Sequence, residues 1–260
     1  MNKMNLKINA KKFVDLINAG MVNDLISPVT LTLLKNKLAI IDTTLATDIA
    51  VVVLANKDYF DEYKQTGKES IVIEQEFLDR LGNGFKGDIT EFSSTTEKIT
   101  ATDGIDTVTG ELQEPSDRKF PLPLTPTKYG IIPDSNKYKA KIKDDDEWTE
   151  EMTLKGHNIY KTTAKSLKLP KAESYKLSLK DKILEVTIPF TTTNFTHKIE
   201  GESIVGKKEE LIIDGEYYRN VVSNLSGDVY LVYNTEHVIF LESSENLTKT
   251  YAVATCIEAV

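Results

Sequence analysis

The residues of this 260-residue chain that could carry acid–base, nucleophilic or metal chemistry are three histidines, His157, His197 and His237, one cysteine, Cys256, and carboxylate runs such as Asp144 to Asp146. The histidines stand far apart in sequence and none belongs to a His-Glu-x-x-His pattern, so neither a metal site nor a histidine triad is expected. There is no Gly-rich phosphate loop and no Gly-x-Ser-x-Gly elbow. The acidic run at 144–151, DDDEWTEE, reads as a solvated loop. Cys256 sits among apolar neighbours and is expected to be an inert buried thiol. A constellation with a mechanism is missing, so no enzyme and no cofactor are expected.

The remaining chemistry is electrostatic. Lysines recur at Lys7, Lys11 and Lys12 near the start, and at Lys161, Lys165 and Lys168 in the second half, flanked by Lys155 and Lys171. Spacings of four and three place Lys161, Lys165 and Lys168 on one face of any helix that contains them. The ordinary reading is a solvated helix face; the functional one is a surface for phosphates. A formal net charge of −8 excludes a protein that grips nucleic acid over its whole surface, and leaves a local basic stripe open.

The elements that position these residues form a repeat. The segment 71–92, IVIEQEFLDRLGNGFKGDITEF, lies without a gap on 211–232, LIIDGEYYRNVVSNLSGDVYLV, and both read strand, short helix, Gly-Asp turn, strand. Leu31-Thr-Leu-Leu-Lys-Asn-Lys-Leu likewise resembles Leu177-Ser-Leu-Lys-Asp-Lys-Ile-Leu, two alternating strands broken by a polar turn. A helix is expected before each hairpin. The first covers about Ala10 to Ala19, capped by Asn9, with Phe13, Leu16 and Ile17 on one face; the second covers about Asn158 to Leu169, with Ile159, Thr163 and Leu167. Prolines at 115, 121, 123, 126 and 133 mark an extended connector. The expected organisation is an N-terminal domain at 1–114, a connector at 115–136 and a C-terminal domain at 137–260, each domain α+β with two short helices.

No apolar run approaches membrane-spanning length, and the lysine-rich start does not read as a secretory signal, so an intracellular protein is expected. The sequons at Asn194, Asn224 and Asn246 then read as chance.

Four strings in order resemble the PCNA family of sliding clamps: Ala10-Lys-Lys-Phe-Val-Asp-Leu, Leu38-Ala-Ile-Ile-Asp-Thr-Thr, Tyr129-Gly-Ile-Ile-Pro-Asp and Tyr251-Ala-Val-Ala-Thr-Cys-Ile-Glu. The resemblance implies a homotrimeric ring of six similar domains, with sheets outside and helices lining a hole that encloses double-stranded DNA. It implies DNA-facing charge at Lys7, Lys11, Lys12, Arg80, Lys86, Lys155, Lys161, Lys165, Lys168 and Arg219. It also implies a pocket for partner peptides drawing on Ile41, Leu45, Tyr129, Ile131, Ile132, Pro133, Val238, Ala254 and Ile257. The implied partners are a DNA polymerase, a clamp loader and other proteins with short clamp-binding peptides, at the replicating DNA in nucleoid, cytoplasm or nucleus, with no cofactor, metal or membrane. Asp48 departs from the pattern, standing where the family usually places an apolar pocket residue. The competing reading is a β-rich interaction module, or a monomeric DNA-bound processivity subunit, that closes no ring.

Overall fold

Asn9 ends the first strand and starts the first helix, its side-chain oxygen accepting the Lys12 amide at 3.2 Å. From that point the chain runs through an element order that occurs twice. The computed structural model describes residues 4–44, 46, 48–66, 69–85, 89–113, 129–132, 139–144, 147–153, 158–180, 182–189, 193–205, 210–233 and 237–256. The first domain comprises β1 (Met4–Ile8), α1 (Ala10–Met21), β2 (Val29–Leu34), β3 (Lys37–Thr43), β4 (Ile49–Asn56), β5 (Glu62–Gln65), β6 (Glu69–Ile73), α2 (Gln75–Gly84), β7 (Thr90–Ser94), β8 (Lys98–Thr102) and β9 (Thr107–Glu111). A three-stranded antiparallel sheet of β10 (Tyr129–Ile132), β11 (Lys139–Asp144) and β12 (Glu147–Thr153) follows. The second domain comprises β13 (Asn158–Thr163), β14 (Ser174–Lys180), β15 (Ile183–Pro189), β16 (Asn194–Ile199), β17 (Gly201–Val205), β18 (Glu210–Asp214), α3 (Gly215–Ser223), β19 (Asp228–Tyr233), β20 (His237–Ser243) and β21 (Leu247–Ala254).

Strand pairing repeats between the two halves, apart from a register shift between Ile159 and Tyr160 where β13 pairs with β17. The sheet order β5-β1-β7-β8-β9 has its counterpart in β17-β13-β19-β20-β21, and β6-β2-β3-β4 in β18-β14-β15-β16. Two isolated bridges, Val72 with Gln113 and Ile212 with Cys256, occupy equivalent places in the two halves. The domains meet where β21 pairs antiparallel with β4, joining the second domain's first sheet to the first domain's second sheet in nine continuous strands. β4, Ile49-Ala-Val-Val-Val-Leu-Ala-Asn, is buried on both faces along most of its length, as a central strand of β-branched residues should be.

The helices lie on one face of the sheets. α1 buries Phe13, Leu16, Ile17 and Met21 at helical spacing, and Phe13 stacks on Phe92 of β7 with ring centroids 4.1 Å apart. α3 buries Tyr218, Val221 and Val222, and Tyr218 packs against Tyr175 and Phe240. One apolar cluster built on this face runs through both domains.

The expected second-domain helix is corrected by the structure. Asn158–Thr163 is the strand β13, which pairs with β17 and β19 as β1 pairs with β5 and β7. Residues 9–28 connect β1 to β2 and accommodate α1, whereas only 164–173 connect β13 to β14, too few for a comparable helix and its turns. This ten-residue strap starts as two overlapping turns, Ser166 N to Thr163 O and Lys168 N to Lys165 O, and then continues as coil to β14. Among the described residues the first domain therefore has two α-helices and the second has one.

Candidate nucleic-acid and partner-binding surfaces

The strap keeps its course through side-chain donors that replace the missing helical ladder. Tyr218 of α3 donates its hydroxyl to the Leu167 carbonyl at 2.8 Å, Tyr175 of β14 donates to the Pro170 carbonyl at 2.7 Å, and Arg219 donates to the Ala172 carbonyl. Burial pushes the Tyr218 phenol upward, so it stays a donor throughout the accessible pH range. Gly215 opens α3 against the strap, and a Cβ there would lie 2.0 Å from the Ala172 oxygen, a contact only glycine avoids. Leu167 is buried beneath the strap while Lys165, Lys168 and Lys171 are exposed and form no ion pair among the described residues. The hydrophobic anchor and the carbonyl donors thus hold a lysine-bearing surface beside α3.

Strand alternation separates the expected basic residues into two sets. Leu6 and Ile8 of β1 belong to the core beneath α1, so Lys7 between them points to the opposite face, where it bridges Glu91 at 2.7 Å and Glu62 at 3.4 Å. Lys161 of β13 repeats this arrangement: Tyr160 is in the core, and Lys161 faces away from the helices beside Asp228 at 3.4 Å and the Tyr230 ring. The Glu91 and Glu62 carboxylates raise the Lys7 pKa, and Tyr230 and Asp228 raise that of Lys161. Grouping Lys161 with Lys165 and Lys168 on one helical face does not hold, because the alternation of a strand carries Lys161 to the outer face.

On the helix side stand Lys11 and Lys12 of α1, Arg80 of α2, Arg219 of α3 and the strap lysines. Lys12 donates to the Tyr59 carbonyl at 2.8 Å and lies over its ring, and Arg80 pairs with Glu76. Lys86 and Lys155 lie outside the described residues.

The outer face of the nine-stranded sheet carries the other surface. Ile41 pairs with Val52, Val52 with Thr250 and Thr250 with Leu241, which puts Ile41 on the face shared by Leu241, Ile239 and His237, and by Ala254 opposite His237. Val238 points the other way, into the core at 0% exposure, so its assignment to that surface is off by one residue of register. Asp48 closes the domain boundary: its carbonyl accepts the Ala254 amide at 2.8 Å and its carboxylate accepts the Tyr217 hydroxyl at 3.2 Å. Cys256 is exposed rather than buried, because the chain leaves β21 to pair its amide with the Ile212 carbonyl at the edge of β18. Leu45, Pro133 and Ile257 lie outside the described residues; Tyr129, Ile131 and Ile132 fall on β10.

Sequence reasoning passed over two features. One is an open cavity of about 250 Å³ between α2 and β9, lined by Glu74, Glu76, Phe77, Arg80, Thr109, Gly110 and Glu111. The other is the pair of sheet edges at β9 and β16. Phe195 on β16, 44% exposed, was the available signal: a large apolar residue on an open strand.

No family model and no curated protein matches the sequence. Solved structures do match in fold over the whole chain. A. fulgidus PCNA bound to the C-terminal region of FEN-1 aligns at TM-score 0.71 and 13% identity, covering 99% of this chain and 100% of that one. PCNA from Entamoeba histolytica gives 0.71 at 12% identity with 99% and 100% coverage, and a PCNA2–PCNA3 complex from Sulfolobus tokodaii gives 0.71 at 14% with 97% and 99%. The chain has the two-domain fold of the PCNA-type sliding clamps.

Proposed function

We propose that this chain is a non-catalytic sliding clamp that closes into a trimeric ring around duplex DNA and serves as a processivity factor and recruitment platform for a DNA polymerase in replication and repair. The observation that carries this reading is the β4–β21 junction. It joins the fourth strand of one sheet to the last strand of another within a single chain. The equivalent strands, β16 and β9, end their own sheets unpaired among the described strands. Pairing β9 with β16 of a second copy repeats the internal junction, and head-to-tail repetition of one interface generates a ring when the rotation closes. Three copies are what the resemblance to the PCNA family implies. In that ring the helices and straps face inward and the sheets outward. The domains divide at 1–114, 115–136 and 137–260.

A closed ring holds DNA by topology, so it needs only enough positive charge inside to accommodate phosphates. This fits a chain with net charge −8. Lys11, Lys12, Lys165, Lys168 and Arg219 face the DNA in this reading, and Lys7 and Lys161 do not. The outer face around Ile41, with the connector strand β10 (Tyr129–Ile132), receives partner peptides, including those of the polymerase, a clamp loader and repair proteins. The protein acts inside the cell at the replicating DNA.

The testing experiment is sedimentation equilibrium. The reading requires a species of three times 29.2 kDa. A single 29.2 kDa species at every attainable concentration overturns it.

A further inference from the structure

The cavity between α2 and β9 has a filled counterpart inside the same chain. Register places Phe77 at the position of Tyr217, Arg80 at that of Asn220, and Glu111 at that of Ala254. All three second-domain residues touch the first domain. The Tyr217 hydroxyl donates to Asp48, the Ala254 amide donates to the Asp48 carbonyl, and the Asn220 side chain accepts from Asn23 in the turn that follows α1. Asn23 also donates to Ser223 at 2.7 Å. The flank of the second domain's helix at Asn220 and Ser223 is therefore met by the segment between the first domain's first two strands, while Tyr217 and Ala254 are met by Asp48 in the connection between its third and fourth strands. The place next to α2 is empty among the described residues and lined instead by carboxylates, Glu74, Glu76 and Glu111, with Asp79 exposed nearby and Arg80 paired to Glu76.

The segment equivalent to the α1 turn is the strap at 164–173, since both connect the first strand of a domain to the second. The strap carries Lys165, Lys168 and Lys171, all exposed. We infer that the cavity is the socket for the lysine strap of the next copy in the ring, so that the interface between copies is held in part by ion pairs where the interface between domains is held by hydrogen bonds. The inference rests on the ring reading. It moves Lys168 out of the DNA-facing set and, with Lys171, onto the neighbour's α2, leaving Lys165, nearer the start of the strap, towards the DNA. Phe77 forms the apolar floor of the socket and Gly110 keeps it open, because a Cβ on Gly110 would lie 2.9 Å from the Phe77 ring. Exposed charges of opposite sign on the two faces steer the copies into register and weaken with salt.

The test reverses the charges singly and together. Sedimentation of Lys168→Glu/Lys171→Glu and of Glu76→Lys/Glu111→Lys at low salt should show about a tenfold or greater loss of trimer affinity for each. The four substitutions combined in one chain should restore most of it, and the wild-type trimer should weaken as salt rises. The inference is overturned if the wild type forms a salt-insensitive trimer that both double variants match, or if the combined chain assembles no better than either. It is also overturned if Lys168→Glu/Lys171→Glu remains fully trimeric and loses only its hold on DNA; in all three cases the ring reading stands. A wild type that is monomeric throughout overturns both.

Discussion

Val51 and Tyr251 face one another across the domain boundary, paired in register between β4 and β21, and both have 0% exposure. Their counterparts by strand register are Phe195 on β16 and Val108 on β9, both at sheet edges, one 44% exposed and the other partly buried. Phe195 and Val108 are the same junction left open. Pairing β16 with β9 of a second copy in the register of the internal junction sets the two side by side on the helix-side face.

Phe195→Asp should accordingly abolish the trimer while leaving the melting temperature of the isolated chain within a few degrees of wild type, because an exposed edge position contributes little to the monomer. Sedimentation and thermal denaturation at the same concentration check both halves of this expectation. A variant that stays trimeric would place the interface elsewhere.

The two faces of the sheets give opposite expectations for lysines of similar sequence context. Lys11→Glu/Lys165→Glu should weaken retention on DNA, whereas Lys7→Glu/Lys161→Glu should leave it unchanged, as both of the latter lie opposite the helices. DNA retention at increasing salt reads the difference. Equal losses from the two pairs would contradict the inward position of the helices.

Tyr218→Phe removes the donor to the Leu167 carbonyl without changing shape, and should cost about 1–2 kcal/mol. Denaturant midpoints measure the cost, and hydrogen exchange should place the loosening in residues 164–173 and the adjoining end of α3. Arg219→Ala should loosen the same strap from its other end through the Ala172 carbonyl.

Glu242 supplies a pH dependence. Burial alone would raise its pKa, but hydrogen bonds from Ser226, the Lys249 ammonium and the Gly227 amide outweigh burial and hold it below the ordinary carboxylate value. A group whose folded pKa is depressed contributes stability above its unfolded pKa and loses it as pH falls through the folded pKa. The wild type should therefore lose stability on acidification below the ordinary glutamate range, and Glu242→Gln should be less stable by about 2 kcal/mol at neutral pH with a flatter acid limb. Chemical denaturation at neutral and acidic pH compares the two slopes.

Much of the fold was legible in the sequence, because hydrophobic period and turn chemistry are local. The β6–α2–β7 and β18–α3–β19 repeats, the β2–β3 and β14–β15 hairpins and the Asn9 cap all follow from them. The strand β13 was not legible, since Ile159, Thr163 and Leu167 satisfy a helical spacing as well as Tyr160 and Thr162 satisfy a strand's inner face. Pairing with β17 and β19, which is non-local, decided between them. The same ambiguity misplaced Lys161, and a one-residue uncertainty along β20 misplaced Val238. The socket at α2 left no trace in sequence because Glu74, Phe77 and Glu111 converge only through the pairing of β9 with β8 and the packing of α2 on β9.

The central claim is topological and is tested most directly by retention on DNA of different ends. Chain assembled to the trimer by concentration in the presence of covalently closed circular DNA should co-elute with the circle through a sizing column in moderate salt. One restriction cut in the circle should release it. Equal retention on the circular and linear forms, or equal loss from both, would contradict a ring that holds DNA by enclosing it.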